Sequence, residues 1–264
     1  MAEGINLIKD KYNSIISESA GDYHNIISLY NEFISEYESD DRSGVINIVN
    51  KAKKSIEAIN KEIDRTNNML TYENQYADFD FICGIDEVGR GPLAGPVVAA
   101  AVILPRDEKI LYLNDSKQLS AKKREELYEI IMNKAVAVGI GESSYTRIDE
   151  INILNATYEA MRKAINNLKV KPDILLNDAV TIPLVDIKQV PIIKGDAKSA
   201  SIAAASIIAK VTRDRMMEDY DKIYPEYNFA SNKGYGSAEH IKALKEFGPT
   251  PIHRRSFIGN FVGD

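Results

Sequence analysis

Phe81-Ile82-Cys83-Gly84-Ile85-Asp86-Glu87-Val88-Gly89-Arg90-Gly91-Pro92-Leu93-Ala94-Gly95-Pro96 is an apolar run that ends in two adjacent carboxylates and a loop of glycines and prolines. Residues 79–85 alternate aromatic and apolar side chains up to that turn, which predicts a β-strand. The loop excludes two nucleotide-binding readings. No Gly-Lys-Ser/Thr follows, so it is not a Walker loop; the glycine spacing is wrong for a dinucleotide fingerprint, and no helix starts across Pro92 and Pro96. Glycines flanking an arginine do allow backbone amides to approach a ligand, with a guanidinium beside them for a phosphate. The simpler alternative is a tight turn that needs positive φ.

Outward from this loop, residues 97–104 form a second apolar run stopped by Pro105. Ser120 is a natural N-cap for a helix over 121–134, and 135–141 then reads as a strand. A helix is predicted over 148–168, short strands over 172–177 and 189–194, and an alanine-rich buried helix over 199–217. Strands come first and then alternate with helices, the order of an α/β domain whose mixed sheet starts antiparallel and continues parallel. The tail after Pro225, with turn glycines at 234, 236 and 248, reads as a small helical appendage.

Three of the strands run into acids: Asp86 and Glu87 after the first, Asp178 after residues 174–177, and Asp196 after residues 191–195. If those strands adjoin, the acids meet. Carboxylates held together repel unless a divalent cation neutralises them, and oxygen ligands without Cys or His select Mg²⁺ or Mn²⁺ over zinc. Any one of these acids alone is more simply a turn or capping residue. Asp173 and Asp186 are the fallbacks for Asp178. Lys117 and Lys198 are candidates for substrate phosphates, with a solvated lysine as the bland alternative. Asp214, between two arginines on a helix, is read as an ion-pairing residue. Histidines 24, 240 and 253 are too scattered to suggest a metal triad, and Cys83 is read as a core residue.

The chain has 264 residues, 44% hydrophobic and 27% charged, ordinary values for a globular protein. Its single cysteine excludes a disulfide framework and a cysteine-rich zinc site. No apolar stretch approaches the roughly 20 residues of a membrane span, and the N-terminus has neither a basic nor an apolar leader region, so a cytoplasmic, membrane-free protein is expected. The net charge of −6 is unevenly spread. Residues 1–78 carry 8 Lys and Arg against 14 Asp and Glu, whereas 79–264 carry 25 of each; within the latter, 188–255 hold 12 basic and 8 acidic residues, an excess suited to an anionic ligand.

The acidic segment, with no Pro, three Gly and polar breaks near Gly21 and 39–44, reads as helices. Val45, Val49, Ala52, Ile56, Ile59, Ile63, Thr66 and Leu70 recur in steps of four and three, the pattern of a helical hairpin or coiled-coil arm. A helix packed on the neighbouring domain is the favoured reading, and an oligomerisation or partner-binding arm the other. Residues 1–76 are accordingly expected to be a helical extension and 77–264 the catalytic domain, with 225–264 as its helical appendage. A monomer is expected, with the heptads leaving self-association open.

The stretch Gly84 to Val97 resembles the opening motif of bacterial ribonuclease HII. Asp115-Ser116-Lys117-Gln118-Leu119-Ser120, Lys194-Gly195-Asp196-Ala197-Lys198-Ser199, the run 202–215, Lys233-Gly234-Tyr235-Gly236 and His253-Arg254-Arg255-Ser256-Phe257 resemble that family in order and spacing, over roughly 79–260. Gly89-Arg90-Gly91 separates the chain from the sister ribonuclease HIII. The resemblance implies a ribonuclease H-like fold, a mixed five-stranded sheet flanked by helices. It implies endonucleolytic cleavage of RNA in RNA/DNA hybrids and 5′ to single ribonucleotides in DNA, leaving 3′-hydroxyl and 5′-phosphate ends. It assigns metal binding and catalysis to Asp86, Glu87, Asp178 and Asp196, with two divalent ions acting on the scissile phosphate. It assigns reading of the ribose 2′-hydroxyl, the group that distinguishes RNA from DNA, to Gly89, Arg90 and Gly91, and contact with the junction sugar to Tyr235. One departure stands out: the family usually has an aliphatic residue where Asn177 precedes Asp178. Two other classes compete, a non-catalytic nucleic-acid-binding module and another metal-dependent nuclease of the same fold; the filled acid positions oppose the first and the Gly-Arg-Gly loop with Tyr235 opposes the second.

Overall fold

The computed structural model describes residues 3–18, 22–106 and 109–262 and divides into two compact units, residues 1–67 and 68–264. The predicted break at Gly21 lies outside the described residues. In the first unit, α1 (Ile5–Glu18), α2 (Tyr23–Tyr37) and α3 (Ser43–Met69) build a core of their own. The heptad stripe of α3 is filled there: Val45, Val49, Ala52 and Ile59 are buried with Ile8 and Ile15 of α1 and with Tyr30, Phe33 and Tyr37 of α2. From Val45 to Ile63 the stripe finds its apolar partners in the two preceding helices of the same unit, while Leu70, its last member, packs with the core of the second unit.

The second unit begins with the short helix α4 (Thr71–Gln75) and contains β1 (Ile82–Val88), β2 (Val97–Ile103), α5 (Ala121–Lys134), β3 (Ala137–Ser143) and α6 (Tyr145–Asn166). β4 (Ile174–Asp178), β5 (Lys188–Ile192) and α7 (Ala200–Ile223) follow. The sheet order is β3-β2-β1-β4-β5, antiparallel through β3-β2-β1 and parallel through β1-β4-β5. The mixed five-stranded sheet expected from the sequence is therefore present. β2, buried along its whole length, carries Ala99, Ala100 and Ala101 because helices cover both faces: α6 packs with Cys83, Ile85, Ala99 and Ala101, and α5 and α7 pack with Ala100 and Val102.

Several boundaries move. β1 reaches Val88 because Asp86, Glu87 and Val88 pair with Ala100, Ala99 and Val98, so the first two acids lie inside the strand. β3 starts at Ala137 because the Ala135 amide still closes α5 onto Ile131. α6 starts early, capped by Ser144, and is kinked at Asn152 (φ 66°), whose side chain accepts from the Asn155 amide. β5 ends at Ile192, and Asp196 sits in a 3₁₀ turn beyond a left-handed Lys194.

After α7, the helices α8 (Phe229–Asn232), α9 (Ala238–Phe247) and α10 (Arg255–Ile258) form the helical C-terminal part. Their apolar residues Phe229, Leu244 and Ile258 share a core with Leu93, Ala94 and Met217, so this segment packs on the glycine loop. Among the described residues no helix is long and apolar enough to cross a membrane.

Candidate active site

Ile85 of β1 stands level with Asn177 of the parallel neighbour β4, which puts Asp86 and Asp178 side by side at the carboxyl ends of adjacent strands, about 4.8 Å apart in backbone spacing. Side chains alternate, so Asp86 faces the same side as Gly84, the side covered by α7. Gly84 is what lets the helix come so close: a Cβ there would lie 2.0 Å from the Ser201 carbonyl carbon. That approach brings Ser206 of α7 to Asp86, which accepts from the serine hydroxyl and from the Glu87 amide at 2.7 Å. Ser116 holds Ser206 at 2.9 Å and so ties the Asp115-Ser116-Lys117 turn to the same point.

The four predicted acids converge electrostatically. Burial, then the charges of Glu87 and Asp178, push the Asp86 carboxyl well above the usual range. Glu87 is also raised, chiefly by burial, although Arg90 donates to it at 3.1 Å and opposes the shift. Asp196 is raised by burial and by Asp115 and Asp178, while Lys117 pulls it down. Asp178 accepts from the Gly195 amide at 2.7 Å, a bond that links β4 to the turn carrying Asp196. Among the described residues no three acids, histidines or cysteines are arranged ready to hold a metal ion. Each acid leans on a protein donor: Asp86 on the Glu87 amide, Glu87 on Arg90, Asp178 on the Gly195 amide and Asp196 on the Ala197 amide.

The fallbacks lie elsewhere. Asp173 accepts from the Phe81 amide at 2.9 Å, at the opposite end of the sheet, and Asp186 is exposed before β5, near the starting end of β4. Asn177 is fully buried and donates to Gln189 at 2.8 Å and to the Val180 carbonyl at 3.1 Å, so the departure before Asp178 serves the strand's own anchoring. Asp214 pairs with Lys210 at 2.7 Å, one helical turn away, while Arg213 and Arg215 face other partners.

Lys117 lies within electrostatic reach of Asp86, Asp196, Asp115 and Tyr235. Lys198 is exposed on the Asp196 turn and connected to the cluster by chain proximity. Tyr235 is 45% exposed, and a Cβ on Gly91 would lie 3.8 Å from its ring, so loop and tyrosine face each other.

Sequence reasoning missed what holds the loop. Arg213 and Arg254 are fully buried beneath it. Arg213 donates to the carbonyls of Pro96, Lys233 and Ala94, and Arg254 to those of Gly95, Arg90, Gly89 and Pro96. Burial and mutual repulsion pull Arg254 down to about 9, and burial pulls Arg213 down to about 10. Among the described residues the peptide bonds are trans, so an amide points opposite to the preceding carbonyl. With the Gly89 and Arg90 carbonyls turned inward, the amides of the exposed residues Arg90 and Gly91 face away from the guanidiniums, free to meet a ligand. Gly89 has φ +91°, and a Cβ there would lie 2.3 Å from Arg213 Nε. The signal in the sequence was Arg254 inside His253-Arg254-Arg255, but nothing local marks it as buried.

His253 lies beside this clamp. It is held down at about 4 by burial first and by the neighbouring His240 and Arg255 next, against 6.5 ordinarily. The unfolded chain therefore takes up this proton first as pH falls. The stability His253 confers is fully present above pH of about 6.5 and is lost toward about 4, a loss on the order of 3 kcal/mol. Urea midpoints measured across this range should fall with acidity, and more shallowly in a His253→Phe protein.

A sheet of this order with carboxylates at the ends of its central strands defines a protein of the ribonuclease H fold. Solved structures agree: ribonuclease H2 from Pyrococcus horikoshii is 30% identical with a TM-score of 0.55, covering 67% of this chain and 93% of that one. Ribonuclease HII of Archaeoglobus fulgidus, solved in complex with PCNA, is 27% identical with a TM-score of 0.57, covering 69% and 97%. The family model for Ribonuclease HII matches residues 83–260, and that for the Ribonuclease HII N-terminal domain matches 24–77. Ribonuclease HII of Lachnoclostridium phytofermentans is 67% identical over 86% of this chain and 89% of its own length, and that of Bacillus subtilis is 56% identical over 85% and 89%. The chain belongs to the ribonuclease HII family and is a type 2 ribonuclease H, a hydrolase.

Proposed function

We propose that this enzyme cleaves the RNA strand of RNA/DNA hybrids and cuts 5′ to single ribonucleotides in duplex DNA, leaving 3′-hydroxyl and 5′-phosphate ends. One observation carries the reading: Lys117 lies within electrostatic reach of Asp86, Asp196 and Tyr235 at once, so one cation serves both the acid patch and the tyrosine that faces Gly91.

Asp86, Glu87, Asp178 and Asp196 are the proposed holders of Mg²⁺ or Mn²⁺. The donor set fits, being four carboxylates without thiolate or imidazole, and the raised Asp86, Glu87 and Asp196 are charges that a hard cation would relieve. The bound ions would supply activation of water and neutralisation of charge on the leaving 3′-oxygen. Around them, the outward amides of Arg90 and Gly91 would donate to the ribose 2′-oxygen, and the Tyr235 ring would pack on the sugar. Lys117 and Lys198 would contact flanking phosphates, as would Arg90 when it leaves Glu87. The catalytic role is assigned to residues 77–264, acting as a monomer in the cytoplasm, with 1–76 as an extension.

A labelled DNA duplex with one ribonucleotide tests this in Mg²⁺, Mn²⁺ or EDTA. A metal-dependent cut on the 5′ side is expected. Cleavage of long hybrids alone would refute the roles of the Gly89–Gly91 loop and Tyr235, and no cleavage of either substrate would favour a binding module.

A further inference from the structure

His240 and His253 form a buried pair that the chemistry above does not use. Their Nε2 atoms are 3.0 Å apart. His240 Nδ1 lies 2.8 Å from the Tyr235 carbonyl, and His253 Nδ1 lies 2.9 Å from the Thr250 amide and 2.8 Å from its hydroxyl. These partners fix both tautomers. An amide can only donate, so His253 Nδ1 accepts and its proton sits on Nε2; that proton is donated to His240 Nε2, which leaves His240 protonated on Nδ1 and donating to the Tyr235 carbonyl. The chain of donors runs one way, from Thr250 to Tyr235.

The pair lies between the two walls of the proposed ribose slot, Tyr235 on the His240 side and the glycine loop on the His253 side. Tyr235 faces Gly91 at one end. At the other, the His253 backbone bridges to Ala94 of the glycine loop, whose neighbours are held by the Leu93 amide on the Gly234 carbonyl and the Gly95 amide on the Ile252 carbonyl. Phe229 stands edge-on to His240, and Tyr227 packs against both imidazoles, so neither ring is free to turn. The surroundings are apolar and aromatic, a place where leucine or phenylalanine would pack without desolvating two imidazoles. The Tyr235 carbonyl also accepts from the Ser237 amide, so the histidine bond adds direction rather than satisfying an orphan.

We propose that the His240–His253 pair is a positioning device for substrate recognition, setting the Tyr235 ring at a fixed distance from the Gly89–Gly91 loop. It rests on the ribonuclease reading for the identity of what enters the slot. The pair touches no substrate and moves no proton in the reaction; it acts through the Tyr235 backbone. Its effect should therefore appear in KM for a ribonucleotide-containing duplex more than in kcat.

Two substitutions of His240 separate direction from packing. Asn can place its Nδ2–H where imidazole Nδ1–H stood and keep the bond to Tyr235, whereas Gln reaches the His253 side and loses it. Both remove part of the ring; Asn leaves the buried His253 Nε2–H without its acceptor while Gln can still take it, so the Asn protein should melt lower of the two and any advantage of Asn in KM cannot come from stability. The expected result is that His240→Gln raises KM about tenfold with kcat largely kept, while His240→Asn stays within about twofold of the parent. In substrate-free protein, amide exchange across residues 233–237 should accelerate in the Gln variant and stay slow in the Asn variant. Equal KM and equal exchange in the two variants would overturn the positioning role. Should the parent fail to cut the duplex, the ribonuclease reading fails by itself, and the exchange comparison still decides whether the pair orders the Tyr235 turn.

Discussion

Replacing Asp86 by Asn is expected to lower kcat by at least about a thousandfold on a duplex carrying a ribonucleotide, since a lost metal ligand removes several kcal/mol of charge stabilisation at the phosphate. Asp86 sits at the centre of the acid patch, beside Asp178 across the β1–β4 pair and under the Ser206 hydroxyl. Asn keeps the size and much of the hydrogen bonding but neither the charge nor the second oxygen. The same substitution has an opposite effect on the metal-free fold. The folded carboxyl is raised above its unfolded value, so its ionisation costs stability as pH rises through the folded value, and at neutral pH the parent carries that cost. In EDTA the Asn protein should melt above the parent at pH 7.5. Added Mg²⁺ should stabilise the parent and do so much less in the variant, because binding to the folded state alone is what shifts melting. A variant that melts lower in EDTA, or gains as much from Mg²⁺ as the parent, would remove Asp86 from the set of ligands.

What the sequence made legible follows from what is local. Apolar runs that end in carboxylates need no partner to be recognised, and Asp86, Glu87 and Asp178 stand out as candidates by that pattern. Asp196 stands out by the same pattern, although β5 stops four residues earlier and a turn carries it. Strand limits were less legible because a neighbour sets them. β1 continues through its acids since Val98, Ala99 and Ala100 offer it a ladder, and nothing in residues 86–88 says so. The heptad stripe of α3 was visible, but its partners in α1 and α2 were not, since an apolar stripe records only that something covers it. Ser206 hides in an alanine-rich helix, where it reads as one more small residue; only the close approach allowed at Gly84 gives it a carboxylate to hold. The histidines at 240 and 253 stand apart in the chain, and their pairing across 13 residues could be seen only in three dimensions.

Arg254→Met should cost on the order of 3 to 5 kcal/mol in the unfolding free energy, the scale for stranding buried polar groups. The guanidinium serves four carbonyls: Gly95 at 3.0 Å, Arg90 at 2.9 Å, Gly89 at 2.5 Å and Pro96 at 3.3 Å. Methionine fills the volume of the stem and donates to none of them. Pro96 keeps Arg213 Nε at 2.9 Å, so the residues left without a donor are Gly89, Arg90 and Gly95. Part of the loss is returned, because Arg213 no longer faces a second buried cation and can hold its proton at less cost. For a unit of about 200 residues, the net loss corresponds to a melting point lower by roughly 10 °C. Arg254→Lys should fall in between: one ammonium keeps the charge and cannot span four acceptors around the loop. Function should suffer beyond stability. With their carbonyls released, the Gly89 and Arg90 peptides can rotate, and the Arg90 and Gly91 amides no longer point to one place. Assayed well below its melting point, Arg254→Met should then lose discrimination between a ribonucleotide and a deoxynucleotide at the cleavage position, not merely turnover. A variant that melts lower but discriminates as well as the parent would show that the guanidinium stabilises the fold without shaping the loop.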